Sequence, residues 1–249
     1  MKAFDVIGHR GACAYAPENT HPSFRLAINM GVDSIETDIR CTSDGVLVLC
    51  HDALVDRTSN GRGLVEDQTY EQLLMLDFGS WFSPCFANER IVTLDQFLSD
   101  YGGKIHLALE IKAGGLEDAI ADLIESHHLS RDDYTVISFK LDRIRGMIER
   151  IPSVRAGYLI KEFNDQTIAC CVDHHISQIC PRADSLDVET IKKAHEHNLE
   201  VRVWGVKDTA MMNHVVDLGA DGMTVDFPDV LLDCLKVRKS VHDSHNDRK

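Results

Sequence analysis

The sequence lacks the features that mark membrane, secreted and nucleic-acid-binding proteins. It has no apolar run close to the roughly 20 residues that span a bilayer. Its first residues, MKAFDVIGHRG, contain no apolar signal-peptide core. Basic residues are scarce, 26 against 40 acidic ones, and a net charge of −14 is the opposite of what a phosphate backbone attracts. We therefore expect a cytoplasmic protein with no nucleic-acid partner and no stable membrane association.

The cysteines also lack a pattern. The chain has eight of them at irregular spacing and no CxxC pair, so neither a disulfide framework nor a structural zinc site is expected. A chain of 249 residues can bury a sizeable core without such cross-links. The composition therefore favours one domain in a reducing compartment.

What the sequence does contain is a regular alternation of short β-branched runs with amphipathic stretches. Eight runs have the character of buried strands, at residues 5–8, 34–40, 106–112, 134–138, 155–160, 176–180, 199–206 and 222–225. Such alternation predicts βαβ units, and eight parallel strands are the count of a (β/α)8 TIM barrel. We predict a single α/β barrel domain over residues 1–249 that ends in a polar, frayed tail at residues 238–249.

One segment breaks the alternation. VLVLCH (46–51) follows the second strand after only CTSDG, which is too short for a parallel crossover. The two runs therefore predict an antiparallel hairpin that turns at Asp44 and Gly45. This pairing would bring His51 opposite Asp38.

Residues 52 to about 90 do not fit an ordinary strand-to-helix loop. They are too many for such a loop and too few for an independent core. We predict a small insertion after strand 2 that covers the barrel mouth. Its aromatic residues are expected to pack on the barrel: Phe78, Trp81, Phe82 and Phe86.

Chemically active side chains interrupt the first three barrel strands near their carboxyl ends. In chain order they are His9, Arg10, Glu36, Asp38, Glu110 and Lys112, and His51 returns on the hairpin. Functional residues of such barrels gather at these strand ends, and residues two apart share a face, so the three carboxylates can converge. Converging carboxylates need a proton or a cation among them, and an all-oxygen ligand set suits Mg²⁺ or Ca²⁺. A single Glu-x-Asp pair is more often a solvated or salt-bridged edge, so the prediction depends on the joint placement.

Two cations and two histidines accompany the carboxylates. Arg10 and Lys112 beside a bound cation would form a positive niche in an acidic protein, and such a niche suits a phosphate group. Histidines titrate near neutral pH and can supply a general acid and a general base. This combination predicts phosphodiester hydrolysis, in which His9 handles a proton and Arg10 holds a phosphate oxygen.

These residues belong to an ordered series of short motifs. The series is GHRGA, PENT (17–20), Glu36-x-Asp38, SDG with His51-Asp52, Arg57-Thr58-x-Asn60-Gly61-x-Gly63, GSWF (79–82), ERIVTL (89–94), LEIK (109–112), SF (138–139), VW (203–204) and GADG (219–222). In this order the chain, from about residue 5 to 236, resembles the glycerophosphodiester phosphodiesterase family, most of all its short bacterial-type members that act in the cytoplasm. It departs from the family's usual Thr-Asp-x-Pro at residues 225–228, which read VDFP.

The resemblance implies a (β/α)8 barrel with an inserted segment and a role for each matched residue. Glu36, Asp38 and Glu110 would bind one Mg²⁺ or Ca²⁺ ion, and His9 and His51 would be the acid and base pair. The substrate-binding positions would be Arg10, Lys112, Glu18, Asn19 and Trp204. From the residues alone, PENT would be only a turn and helix cap, and Trp204 a barrel-packing aromatic.

Three functions are compatible with these observations. The first is metal-dependent hydrolysis of a small glycerophosphodiester to sn-glycerol 3-phosphate and an alcohol, with His51 as base and His9 as acid. The second is a related barrel phosphodiesterase that acts on phospholipid head groups and uses the aromatic cluster at a membrane. The third is a catalytically silent barrel that binds a phosphate ligand. No expected histidine or carboxylate is missing, which favours the first. The head group, the metal, the order of the two histidines, attack by water or by an internal hydroxyl, and the oligomeric state stay open.

Overall fold

Eight parallel strands close into a barrel in the computed structural model, which describes residues 4–246. The described strands are β1 (Asp5–Gly8), β2 (Ser34–Cys41), β3 (Leu47–Leu49), β4 (His106–Ile111), β5 (Tyr134–Ser138), β6 (Ala156–Ile160), β7 (Gln178–Pro181), β8 (Glu200–Val203) and β9 (Gly222–Val225). All except β3 belong to the barrel, which closes because β1 pairs in parallel with both β2 and β9. The predicted (β/α)8 architecture is confirmed.

The helices lie around the outside of the barrel. Those described are α1 (His21–Met30), α2 (Tyr70–Leu74), α3 (Leu94–Tyr101), α4 (Glu117–Ser126), α5 (Leu141–Arg150), α6 (Asp165–Asp173), α7 (Val188–Glu196), α8 (Thr209–Leu218) and α9 (Pro228–Asn246). Their apolar faces bury the main core against the outward side chains of the strands. Local signals fix their ends: the Thr93 side chain accepts from Gln96 N at the start of α3, and Gly219 ends α8 with φ +87°.

The carboxyl-terminal part of the chain differs from the prediction. Residues 238–246 continue α9 rather than fraying, and residues 247–249 lie outside the described part. None of the helices in residues 4–246 is both long enough and apolar enough to cross a bilayer.

The predicted hairpin is present, but its register is shifted by one residue. β3 runs antiparallel to β2 with Leu49 opposite Ile39, and Cys50 N donates to Asp38 O over 2.9 Å. Cys50 rather than His51 therefore lies opposite Asp38. The reason is the length of the turn. Thr42 N donates to Val46 O, so three residues (43–45) lie between the paired positions instead of the two that we predicted, and Gly45 has a φ of +84°.

The segment 52–90 lies between β3 and α3 and contains α2 and two short 3₁₀ turns, Val65–Asp67 and Pro84–Phe86. Seven buried side chains form a small apolar cluster of its own with β3: Val48, Cys50, Val55, Val65, Leu73, Phe78 and Ile91. The aromatic residues do not all pack on the barrel as predicted. Phe78 is buried, whereas Trp81 is 38% exposed and meets Phe82 edge-on. Trp81 Nε1 donates to Phe78 O, which holds the ring within the segment.

Candidate active site

Three carboxylates converge at the carboxyl ends of β2 and β4. Glu36, Asp38 and Glu110 are all buried, and one oxygen of each lies within 4.8 Å of the others. The parallel pairing of β2 with β4 places Asp38 directly beside Glu110. Burial together with the charge of Asp38 raises the pKa of both glutamates. The strand geometry therefore forces together acidic groups that repel one another when ionised.

Two cations face the same carboxylates. Lys112 Nζ donates to Glu110 Oε1 over 2.9 Å and lies 3.4 Å from Asp38 Oδ1, while Arg10 Nε lies 3.1 Å from Asp38 Oδ2. Burial alone would raise the pKa of Asp38, but Arg10 and Lys112 outweigh it and lower that pKa. Even so, Asp38 Oδ1 is buried and has no hydrogen-bond partner among residues 4–246. A buried carboxylate oxygen that makes no hydrogen bond within the described residues, with the Lys112 ammonium 3.4 Å away, fits a hard divalent cation when the other donors are also oxygens.

The loop after β1 directs Arg10 to this cluster. Arg10 and Gly11 have φ values of +51° and +88°, and Arg10 N donates to Glu36 Oε2 over 3.1 Å. A Cβ on Gly11 would lie 2.4 Å from Ser23 Oγ, so that position has no room for any other residue. The sequence GHRG thus turns the backbone into the site.

Glu18 and Asn19 lie behind the site. Asn19 Nδ2 donates to Asp38 Oδ2 over 2.9 Å and its Oδ1 accepts from Thr37 Oγ1, so it fixes the position of Asp38. Glu18 accepts from Arg10 Nη1 over 2.8 Å and from both terminal nitrogens of Arg57. Both residues contact protein groups of the site, and neither lines its cavity.

His9 is held by a carboxylate from the opposite end of the chain. Its Nδ1 lies 2.5 Å from Asp226 Oδ1, and its Nε2 lies 4.0 Å from Glu36 Oε2. Burial acts to lower the pKa of His9, but the hydrogen bond to Asp226 and the charge of Glu36 raise it overall. The pKa of His9 is therefore higher than that of an ordinary histidine.

His51 also has a carboxylate at its Nδ1, but its pKa is displaced in the opposite direction. Its Nδ1 lies 2.6 Å from Asp52 Oδ1, and Asp52 in turn accepts from Arg57 Nε over 2.7 Å. Burial, with help from the nearby Arg10 and Lys112 charges, lowers the pKa of His51. The two histidines of the site thus have pKa values displaced in opposite directions.

A cavity of about 340 Å³ opens in front of these groups. His9, Arg10, Glu36, His51 and Glu110 line its polar side, and Ile137, Phe139, Leu159 and Trp204 line its apolar side. Trp204 Nε1 donates to Cys180 O over 2.9 Å, and its ring meets Phe139 edge-on. At the barrel axis, Arg202 Nη1 and Thr224 Oγ1 are buried without a hydrogen-bond partner in the described part of the chain, so bound water or substrate oxygens can use them.

The structure brings the ten predicted site residues to one end of the barrel. Sequence reasoning missed Asp226, Arg57 and Arg202. Asp226 could have been found, because it directly follows β9, the parallel neighbour of β1 that carries His9 at its end. Arg57 belongs to one of the family motifs but received no role, and Arg202 gave no signal because it lies inside a strand.

Comparison with known proteins identifies relatives over almost the whole chain. The model of the glycerophosphoryl diester phosphodiesterase family matches residues 9–230. The protein YhdW of Bacillus subtilis (strain 168) is 34% identical over 237 residues, which cover 91% of this chain and 96% of that protein. A glycerophosphodiester phosphodiesterase of Caldanaerobacter subterraneus subsp. tengcongensis is 30% identical over 237 residues, or 93% of this chain and 97% of the relative.

Solved structures give the same result. A phosphodiesterase of Oleispira antarctica, solved in complex with the product sn-glycerol-3-phosphate, superposes with a TM-score of 0.86. The two sequences are 25% identical, and the match covers 93% of this chain and 96% of that one.

Proposed function

Because the chain belongs to the glycerophosphoryl diester phosphodiesterase family, we propose that it hydrolyses glycerophosphodiesters to sn-glycerol 3-phosphate and an alcohol in a metal-dependent reaction. One observation carries this proposal: three buried carboxylates converge beside two histidines that face the same cavity, and each histidine has a carboxylate at Nδ1. A catalytically silent barrel would have no need for this full set.

The carboxylates Glu36, Asp38 and Glu110 would hold one divalent cation, Mg²⁺ or Ca²⁺. When bound, the cation supplies a positive charge that polarises a phosphate oxygen. The residues present fit such an ion, because all donors are oxygens and Asp38 Oδ1 is buried with no hydrogen-bond partner among residues 4–246.

Arg10, which lines the cavity, binds the phosphate group of the substrate, and Lys112, which lies behind the lining against Glu110 and Asp38, adds positive charge to the same niche. Both side chains are largely buried, so their charges act in a medium of low polarity and attract an anion more strongly than surface cations do. Glu18 orients Arg10 through its 2.8 Å contact, and Asn19 orients Asp38. We assign Glu18 and Asn19 as positioning residues rather than direct substrate contacts.

His9 acts as the general acid and His51 as the general base. A carboxylate at Nδ1 keeps the proton of the neutral ring on that nitrogen and leaves Nε2 to exchange a proton with substrate. The raised pKa of His9 suits a proton donor to the leaving alkoxide, and the lowered pKa of His51 suits an acceptor. Trp204 and Phe139 provide an apolar wall for the carbon skeleton of the substrate.

The substrate is a small molecule and the site of action the cytoplasm. All eight cysteines are free thiols, which supports a reducing compartment. The acidic net charge of −14 disfavours nucleic acid.

Release of sn-glycerol 3-phosphate from a panel of glycerophosphodiesters tests the proposal. The purified protein is assayed with chelator and again after Mg²⁺ or Ca²⁺ is restored, and the panel includes a lysophospholipid. We expect release that stops with chelator and returns with metal, and the panel ranks the head groups. Cleavage of the lysophospholipid alone, measured as release of its alcohol with lysophosphatidate as the other product, would favour the phospholipid alternative. Ligand binding without turnover under either metal would favour the silent barrel.

A further inference from the structure

A second group of potential metal ligands lies beside the carboxylate cluster. It consists of His9, Cys13 and Asp226, whose ligand atoms all lie within 4.8 Å of one another. We propose that these three residues form an inhibitory site for a soft divalent cation, Zn²⁺. Zinc binding there is independent of the proposed function, whereas its inhibitory effect rests on the role that we assign to His9.

The distances among the three ligand atoms are close to those of a zinc site. Cys13 Sγ lies 3.2 Å from Asp226 Oδ1 and 4.0 Å from His9 Nδ1. With Zn–S and Zn–N bonds of about 2.0–2.3 Å, the ligand atoms of a tetrahedral site lie roughly 3.3–3.8 Å apart. When an ion replaces the proton between them, His9 Nδ1 and Asp226 Oδ1 have to move apart by about 1 Å, and the distance from Cys13 Sγ to His9 Nδ1 has to shorten slightly.

The backbone brings the three side chains together. Val225, just before Asp226, pairs with Gly8 in the barrel, and Ala14 N donates to Asp226 O over 3.0 Å. The left-handed residues Arg10 and Gly11 turn the chain so that Cys13 returns to His9. The group is therefore preformed, and a ligand need not order it first.

The two groups of ligands prefer different metal ions. The carboxylate cluster offers only oxygen, which suits Mg²⁺ or Ca²⁺, whereas a thiolate and an imidazole select zinc. The side chains of His9 and Asp226 are 31% and 48% exposed and line the cavity, so an ion can enter from solvent and water can complete the tetrahedron.

Binding would remove His9 from catalysis. The ion displaces the thiol proton of Cys13 and the proton on His9 Nδ1, and both protons pass to solvent. His9 then loses its hydrogen bond to Asp226 and is fixed to the metal through Nδ1. A ring held in this way no longer has the carboxylate that supports proton donation from Nε2.

The test combines inhibition with a spectroscopic signal. Turnover of a glycerophosphodiester at saturating Mg²⁺ is measured against increasing free Zn²⁺ for the wild type, Cys13→Ser and the control Cys85→Ser. Serine keeps a hydrogen-bond donor to Asp226 but provides no thiolate, so Cys13→Ser should keep its activity without zinc. We expect it to need at least about tenfold more zinc for half inhibition than the wild type or Cys85→Ser.

Cobalt gives a readout that does not depend on activity. The wild type and Cys85→Ser loaded with Co²⁺ should show a sulfur-to-cobalt charge-transfer band, and Cys13→Ser should lack it. Equal zinc sensitivity of all three proteins, or a band that persists in Cys13→Ser, would overturn the proposal. Loss of turnover on every substrate with the band intact would instead reject the proposed function and leave the metal site standing.

Discussion

The two ends of the barrel enclose polar cavities of similar size, about 340 Å³ at the carboxyl ends of the strands and about 280 Å³ at the amino ends. At the amino ends most of the polar groups are paired, with Arg202, which borders both cavities, as an exception. Arg155 Nη2 donates to Glu200 Oε2 over 2.6 Å, and Gln178 Nε2 donates to the same oxygen. At the carboxyl ends, by contrast, like charges converge and Asp38 Oδ1 has no hydrogen-bond partner within residues 4–246.

One histidine from each end shows what this difference means. His106, at the amino end, has partners at both ring nitrogens, Ser34 Oγ at 2.9 Å and Thr135 Oγ1 at 3.1 Å. Burial, with the charges of Arg155 and Arg202, lowers its pKa to about 4, so its ring stays neutral. His9 has Asp226 and, at 4.0 Å, Cys13 Sγ at its Nδ1, whereas its Nε2 lies 4.0 Å from Glu36 Oε2. A polar group whose hydrogen bonds are all made within the protein stabilises the fold, whereas a group with a free hydrogen-bonding position remains available to a ligand.

The largest expected effect separates these two kinds of histidine. His9→Ala and His51→Ala should each reduce kcat by about 10²–10⁴-fold, because each removes one proton-transfer group. Their melting temperatures should stay close to that of the wild type. His106→Gln, the matched control from the other end, should keep its kcat. Near-normal turnover in either alanine variant would contradict the view that the histidines at the carboxyl ends transfer protons while His106 only stabilises the fold.

Without metal, the repulsion among the three carboxylates of the acidic cluster should lower the stability of the protein once they ionise. A carboxyl whose pKa is raised in the folded state stabilises the protein below its ordinary pKa of about 4.3 and loses that stabilisation as pH rises through the raised value. Glu36 and Glu110 are such groups. In chelator, the melting temperature of the wild type relative to that of Glu36→Gln should therefore fall as pH rises from about 4.3 toward 8.

Metal provides the second half of that experiment. Mg²⁺ should raise the melting temperature of the wild type at neutral pH, because it binds only the folded cluster, and should raise that of Glu36→Gln much less. Glu162→Gln, an exposed glutamate outside the cluster, serves as the control and should behave like the wild type. If the melting temperature of Glu36→Gln changes with pH as much as that of the wild type, the charges of the cluster are as well paired as those of the amino-end groups.

The same contrast explains which parts of the molecule were predictable from the sequence. The eight barrel strands and the hairpin follow from alternation and the short CTSDG connection. The hairpin register does not, because one extra turn residue cannot be counted before the turn is seen. The exposure of Trp81 was missed because a hydrogen bond to Phe78 O, within its own segment, holds its ring. The tail was missed because its polar sequence nevertheless continues α9.

Site residues were predictable where polar groups interrupt apolar strands at their carboxyl ends, as Glu36 and Glu110 do. Polar residues at strand starts, such as Arg155 and Glu200, resemble ordinary loop residues in the sequence. Their pairing joins β-strands 45 positions apart and appears only when the barrel closes. Asp226 was likewise recognised as part of a motif but acquired a role only through its contact with His9.

An acid titration should sharpen the comparison from the amino end. A histidine with a lowered pKa stabilises the fold above its ordinary pKa of about 6.5 and loses that contribution as pH falls toward the folded value. For His106, whose folded pKa is about 4, the loss should be on the order of 2 kcal/mol between those limits. Denaturant unfolding of His106→Gln should show a shallower decline over this range. A slope equal to that of the wild type would mean that His106 does not titrate as its contacts indicate.

The smallest effect comes from breaking the pairing at the amino end. Arg155→Met should lower the free energy of unfolding by about 1–2 kcal/mol, since it removes a charge-assisted hydrogen bond between partly buried groups. A double-mutant cycle with Glu200→Gln should give a coupling energy of about 1 kcal/mol. kcat/KM should stay within about twofold of the wild type, because this pair stabilises the barrel and faces away from the carboxyl-end cavity. A tenfold fall in kcat/KM with unchanged stability would mean that the charges of the amino end act on the substrate through the barrel interior, where Arg202 borders both cavities.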